Sequence, residues 1–288
     1  MESSSIYRGA FLLVCAEFFL VCSGMVIKQL AGELPTEIIV FARNLFGLAL
    51  LLPWVMKAGI GAIRTDKLHL HFMRAAVGVT AMTCLYYSWG HLPLAQAALL
   101  KQTGPFFMPV IALWWLGERI NDRVKWSITI GFIGVVLILG PTEGTLNLAV
   151  LIALFGAMLG ALAKIVIRRM SVSEPAKRIV FYFALFASLI SVIPAVLVWV
   201  QPTLIQTGWL LLMALTSTLA QLMLSKAYGL APAGQLGPFT YSSVALAALF
   251  GWVLWDEALS LNSWLGIVIV TLAGLMAMQA RPAKKMLP

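Results

Sequence analysis

The sequence predicts an all-α integral membrane fold: ten transmembrane helices arranged as two inverted five-helix repeats. Three observations carry this. The 288 residues are 61% hydrophobic and only 11% charged, with a mean hydropathy of +0.95, whereas a soluble domain is nearer half apolar and a quarter charged. The apolar residues fall into ten runs. The two halves of the chain also align with each other.

The internal match is read first, because a missed repeat miscasts a whole fold. Leu85, Gly90, Pro93, Gln96 and Glu118 each stand 139 residues before Leu224, Gly229, Pro232, Gln235 and Glu257. At an offset of 140, Val26-Ile27-Lys28 meets Val166-Ile167-Arg168, Pro35 meets Pro175, and Ile39-Val40-Phe41 meets Ile179-Val180-Phe181. Chance pairing of apolar residues explains the Leu, Val and Ile matches. It does not explain Pro, Gln, Gly and Glu in step. The expected boundaries are 1–141 for the first repeat and 142–288 for the second, within one membrane domain.

A membrane helix needs ~20 mainly apolar residues to cross ~30 Å of hydrocarbon. The runs lie at 7–31, 36–56, 71–90, 93–116, 125–139, 146–168, 177–200, 204–229, 232–255 and 259–279. They are too long and too uniformly apolar for barrel strands. No signal-peptide cleavage pattern precedes the first run, which is expected to stay as a span. Short connections make successive helices antiparallel.

Loop charge sets orientation. Lys57, Arg64 and Lys67 fill the second loop, Arg119, Arg123 and Lys125 the fourth, and Arg168, Arg169, Lys177 and Arg178 the sixth. Glu33, Glu37, Glu143, Asp256 and Glu257 mark odd loops. Both termini are therefore expected in the cytoplasm of a cell whose inner (plasma) membrane holds the chain. This distribution also accounts for the net charge of +9 without nucleic acid as a partner. Five helices per unit, an odd number, put the second copy into the membrane upside down. Inverted repeats of this kind recur in secondary transporters, with the substrate near the midplane between the copies.

The chain resembles the drug/metabolite transporter superfamily, in particular its EamA-type members. The residues that carry the resemblance are Pro93-Leu94-Ala95, Leu116-Gly117-Glu118-Arg119, and Trp126 with Gly131 and Gly134. In the second half they are Pro232, Asp256-Glu257, Trp264, Gly266 and Gly274. The resemblance implies a central cavity lined by the first, third and fourth helices of each half, with the fifth and tenth outside it. The Glu118-Arg119 pair becomes Glu257-Ala258 in the second half, so an ion-pair role for that arginine is not duplicated.

An ionisable group inside a span costs several kcal/mol unless paired or wet, so each is a candidate for function. At ~1.5 Å per residue, Glu17 lies about 15 Å into its span, Arg43 about 11 Å and Lys101 about 12 Å. Glu17 is expected to pair with Arg43 or Lys101, leaving a spare positive charge toward the cavity. A plain structural ion pair is the competing reading. Lys164 and Lys226 lie near span ends, where long side chains snorkel to water, yet Lys164 is also placed to meet a substrate. Tyr86, Tyr87, Gln96, Gln102, Gln221, Tyr241 and Ser242 supply hydrogen-bonding and aromatic groups suited to a small polar ligand. Interhelical hydrogen bonding is the alternative for them, and an interfacial anchor is the alternative for Trp89 and Tyr228. Pro105, Pro109 and Pro238 interrupt corresponding spans of the two halves, a pointer to a transport site. Gly156 and Gly160 form a GxxxG read as packing within the molecule.

The expected function is a secondary transporter of a small polar organic metabolite, an amino acid or organic anion, working by alternating access. A proton, through Glu17, or a second substrate is the coupling partner. A drug or cation efflux carrier of the same fold is the alternative. A channel, or a membrane-embedded enzyme, ranks below these: no HExxH, GxSxG or Asp-rich motif occurs. No Walker motif occurs either, and no cofactor or metal ligand set is expected. Cys15, Cys22 and Cys84 sit in apolar runs as small hydrophobes.

Overall fold

The computed structural model describes residues 2–101, 148–171, 173–230, 239–240, 242–257 and 260–278, with scattered positions among 103–137. Every regular element among the described residues is helical. In chain order these are α1 (Glu2–Leu30), α2 (Thr36–Ala58), a 3-10 turn (Ile60–Ile63), α3 (Leu68–His91) and α4 (Leu94–Lys101). They are followed by α5 (Leu148–Met170), α6 (Ala176–Leu197), α7 (Leu204–Leu230), α8 (Ser242–Trp255) and α9 (Leu261–Met278). Six of these, α1, α2, α3, α5, α6 and α7, are long and apolar enough to cross a membrane. Most of the expected fourth and fifth spans, including Pro105, Pro109 and the 116–119 motif, lies outside the described residues, as do Pro232, Gln235 and Pro238.

The helix ends follow local chemistry. Pro35 and Pro175 precede α2 and α6 with extended backbone (φ −56°, ψ 142° and φ −67°, ψ 147°), because proline lacks the N–H that a continuing helix needs. Gly59 closes α2 at φ 76° and donates to the Val55 carbonyl, a left-handed cap that glycine adopts without strain. Asp256 closes α8 at φ 51°, a conformation that Asp tolerates better than most residues.

The turn between the first two helices of each half is duplicated bond for bond. Ala31, Glu33 and Leu34 donate to the carbonyls of Ile27, Leu30 and Leu30; Ser171, Ser173 and Glu174 donate to those of Ile167, Met170 and Met170. The packing is duplicated as well. α1 lies on α7 and α3 on α5, while α2 lies on α6. Exchanging the halves maps the first contact onto the second and the third onto itself.

Direction is fixed by side-chain contacts. Lys28, near the end of α1, reaches the Leu92 carbonyl just past α3, at 3.3 Å, so α1 and α3 run parallel. Lys67, before α3, donates to Ser173, after α5, at 2.6 Å. Further along, the Cβ that Gly156 lacks points at Cys84, so α3 and α5 run antiparallel. The first helix of the second half therefore runs against the first helix of the chain.

The seam between halves is lined by small residues. Ala75, Ala187, Ala214 and Ala227 are fully buried, which lets backbones approach where lipid supplies no hydrophobic drive for helices to associate. A Cβ on Gly156 would stand 2.6 Å from Cys84 Cβ, so the close approach of α3 and α5 requires glycine there. Gly160 meets nothing within 4 Å. Outward, Phe11, Met56, Leu197 and Leu204 are exposed, the composition a lipid-facing surface needs.

Candidate functional site

A cavity lies between the halves, bounded by α1, α2, α3, α5, α6, α7 and the end of α4. It offers about 140 Å³ to water centres, room for on the order of ten waters at ~10–15 Å³ each. The periodicity of α5 builds one wall. Gly156, Gly160 and Lys164 recur every four residues and all line the cavity, as one helical face must. The two glycines leave space, and Lys164, half-buried, supplies charge.

Arg43 of α2 is 2% exposed. Its Nε donates to Ser217 Oγ on α7 at 3.1 Å and its Nη1 to Asn44 Oδ1 at 2.9 Å. Arg74 of α3 is buried too, and its Nη2 donates to Gln221 Oε1 at 3.3 Å. Both guanidiniums lie over the Phe183 ring, at 5.3 Å and 4.1 Å from its centroid, where the ring's electron-rich face attracts a cation. Gly78, one turn beyond Arg74, makes the room. A Cβ there would fall 2.0 Å from Arg74 Nη1 and 2.9 Å from Phe183.

Neither arginine meets a carboxylate among the described residues, and Arg74 Nε and Nη1 have no hydrogen-bond partner there. Buried polar groups are paired in the great majority of cases, so these guanidinium nitrogens are exceptions among the described residues.

Glu17 takes Lys101 as its partner, with Nζ to Oε2 at 2.7 Å, and its Oε1 has none among the described residues. Tyr86 and Trp89 stack at 5.9 Å along the α3 wall. Trp89 is 2% exposed, against Gly24, whose absent Cβ would stand 3.0 Å from the indole. It is therefore a wall residue and not an interfacial anchor. Its Nε1, like Ser23 Oγ, is unpartnered among the described residues.

Of the side chains singled out from sequence, Arg43, Tyr86, Lys101, Lys164 and Gln221 line the cavity, and Glu17 stands behind Lys101. Tyr87 faces away and stacks on His91 at 3.9 Å, as the ~100° step between neighbours on a helix requires. Gln96 is half-buried and lies off the cavity wall. Ser242 donates to the Phe239 carbonyl at 2.7 Å, and Lys226 is exposed, as snorkelling requires. Gln102 and Tyr241 lie outside the described residues. Sequence reasoning placed Arg74 just inside the third span, among the charges that orient the chain, and did not take it as a site residue. The signal was present: α3 begins at Leu68, so Arg74 already sits well over one turn inside the helix.

Each end of the cavity is tied across the seam. At the end where α1 and α3 finish, Lys28 forms an ion pair with Glu257, and Glu257 also accepts the Leu94 N–H at 2.8 Å, capping α4. At the opposite end, Glu174 accepts Thr65 Oγ1 at 2.7 Å and Arg178 Nη1 at 2.9 Å, with His71 Nε2 at 3.6 Å. Burial pushes the Glu174 carboxyl upward, but the hydrogen bonds from Thr65 and Arg178 and the charges of Arg178 and His71 outweigh this and hold it below its ordinary range.

Comparison with known proteins bears on this arrangement. The family model described as the EamA-like transporter family matches residues 7–140 and again 147–279. A pseudopaline exporter of Pseudomonas aeruginosa is 29% identical over 270 residues, covering 92% of this chain and 94% of that protein. A riboflavin transporter of Brucella anthropi is 28% identical, with 88% and 93% covered. An S-adenosylmethionine uptake transporter of Rickettsia bellii is 26% identical, with 94% and 92% covered. A crystal structure superposes with a TM-score of 0.66 at 18% identity, covering 96% of this chain and 97% of that one, a likeness of fold alone.

Proposed function

The chain belongs to the EamA-like transporter family, whose relatives named above are transporters and not enzymes, and we propose that it is a secondary transporter of a small organic anion or amino acid. It crosses the membrane ten times as two inverted five-helix repeats, 1–141 and 142–288. The duplicated turn, the exchangeable packing and the opposed directions of α1 and α5 support this. The membrane is the cell's inner membrane, with both termini cytoplasmic, as the basic even loops favour.

The single observation that carries the substrate class is the cavity's charge. Arg43, Arg74, Lys101 and Lys164 line it, with, among the described residues, no carboxylate in the wall and Glu17 alone paired to one of them. A cationic drug would meet repulsion at every turn of the wall, which disfavours the cation-efflux reading. Arg43, Arg74, Lys101 and Lys164 hold the anion, Gln221 fixes Arg74, and Tyr86 and Trp89 form the flat wall. Alternating access proceeds by releasing the Lys28–Glu257 tie at one end or the Glu174 cluster at the other. Glu17, with one free oxygen beside Lys101, is the seat of a coupling proton. Exchange of one anion for another needs no proton and uses the same site.

Counterflow in liposomes tests this. Purified chain is reconstituted with an unlabelled mixture of amino acids and carboxylates inside, and tracer glutamate, malate or lactate outside. Saturable uptake accelerated by the internal pool is expected for at least one tracer. Flux that neither saturates nor accelerates identifies a channel and overturns the carrier reading.

A further inference from the structure

We propose that the natural substrate carries at least two anionic groups, one seated on the Arg43–Phe183–Arg74 stack and the other on Lys101 and Lys164, which α4 and α5 bring to the same cavity. This rests on the carrier reading above and narrows it.

Two features of the wall lead there. The first is the geometry of Arg74. Its Nη2 is held by Gln221, while Nε and Nη1 are free among the described residues. These two nitrogens point to different edges of the planar guanidinium, so one oxygen does not serve both. A carboxylate engages one edge through two parallel hydrogen bonds and leaves the other for a second acceptor.

The second feature is the spread of donors. Lys101 and Lys164 stand on α4 and α5, apart from the arginines of α2 and α3, yet all four line the same cavity. The polar atoms lining the cavity that lack a partner among the described residues, in Arg74, Trp89 and Ser23, are donor-only or hydroxyl groups. Arg43, Arg74, Lys101 and Lys164 also outnumber Glu17 by three charges. A monoanion leaves two of those uncompensated. A dianion or trianion engages both sets of donors and neutralises most of the excess.

The test uses the full chain in detergent at fixed ionic strength, with thermal stabilisation read against glutarate, glutamate, citrate, butyrate and tetramethylammonium, since a ligand that binds the folded form raises its melting temperature. Glutarate or citrate is expected to half-saturate at a concentration at least tenfold below butyrate, with no stabilisation by tetramethylammonium. Arg74→Gln and, at the second seat, Lys164→Gln should each reduce that preference to under threefold. If one variant does not fold, the other still decides. Equal binding of butyrate and glutarate, stabilisation by tetramethylammonium, or no response to any acid overturns the proposal. The two readings fail separately. Butyrate that binds as well as glutarate and drives counterflow removes this inference and leaves the carrier. Glutarate that binds selectively without any acid driving counterflow removes the carrier and leaves the site.

Discussion

Neutralising Glu17 and Lys101 one at a time and then together separates structural from transport roles. Glu17 is 1% exposed and Lys101 16%, and they meet at 2.7 Å. Removing one member of a buried pair strands the other, at about 3–5 kcal/mol. The two single variants are not equivalent. Lys101→Met leaves the drier Glu17 carboxylate alone and belongs near the top of that range. Glu17→Gln leaves Lys101 at the cavity edge, where water reaches it, and belongs near the bottom. The double variant restores neutrality, and apolar replacement of a whole pair is often neutral or stabilising. A cycle coupling of ~2 kcal/mol or more follows, within the range seen for residues in contact. Denaturant titration in mixed micelles measures stability, and counterflow on the same preparations measures transport. Single variants that cost the same and add independently would refute the buried-pair argument. A double variant that transports at the wild-type rate at every pH removes Glu17 and Lys101 from the mechanism.

Three further outcomes follow from geometry given above. Gly78→Ala pushes a methyl group against Arg74 Nη1 and Phe183; overpacking of this kind costs about 1–3 kcal/mol, and transport should fall mainly through a raised KM for the tracer. Glu257→Gln frees Lys28 and weakens the Leu94 cap, so a cysteine placed at Ser23, buried in the cavity wall, should react faster with an impermeant maleimide; an unchanged rate argues against a closing role for that tie. For Glu174 the depressed carboxyl means stability present above the ordinary carboxylate range and lost as pH falls through its lowered value. The melting-temperature gap between the wild type and Glu174→Gln should hold constant near neutrality and close in acid.

Hydropathy and repeat offset made the class of fold legible, because lipid imposes long apolar runs and leaves few alternatives. Depth arithmetic brought Glu17 and Lys101 within reach of each other, since both sit near mid-span. Arg74 escaped the same arithmetic, for a span start placed at His71 leaves it at the very edge of the span, whereas the start at Leu68 sets it more than a turn inside. Tyr86 and Tyr87 were indistinguishable on paper, because facing depends on how a neighbour rotates the helix. Lys28 with Glu257, and Thr65 with Glu174, join residues far apart in sequence at helix ends and in loops, where charged and polar residues are common. No local pattern marks such pairs.

The dominant contacts, α1 on α7 and α3 on α5, join the halves, so each half meets its main partners in the other. During synthesis, the leading helices reach the bilayer while their later partners are still on the ribosome. Glu17, Arg43 and Arg74 then spend that interval without Ser217, Gln221 and Phe183 around them, and groups so exposed to hydrocarbon are expensive. The nascent chain therefore depends on shelter, from the insertion machinery or from transient pairing such as Glu17 with Lys101, until α7 emerges. Severing the gene at 146 and expressing only the leading fragment should yield a polypeptide that is degraded unless the trailing fragment is made in the same cell.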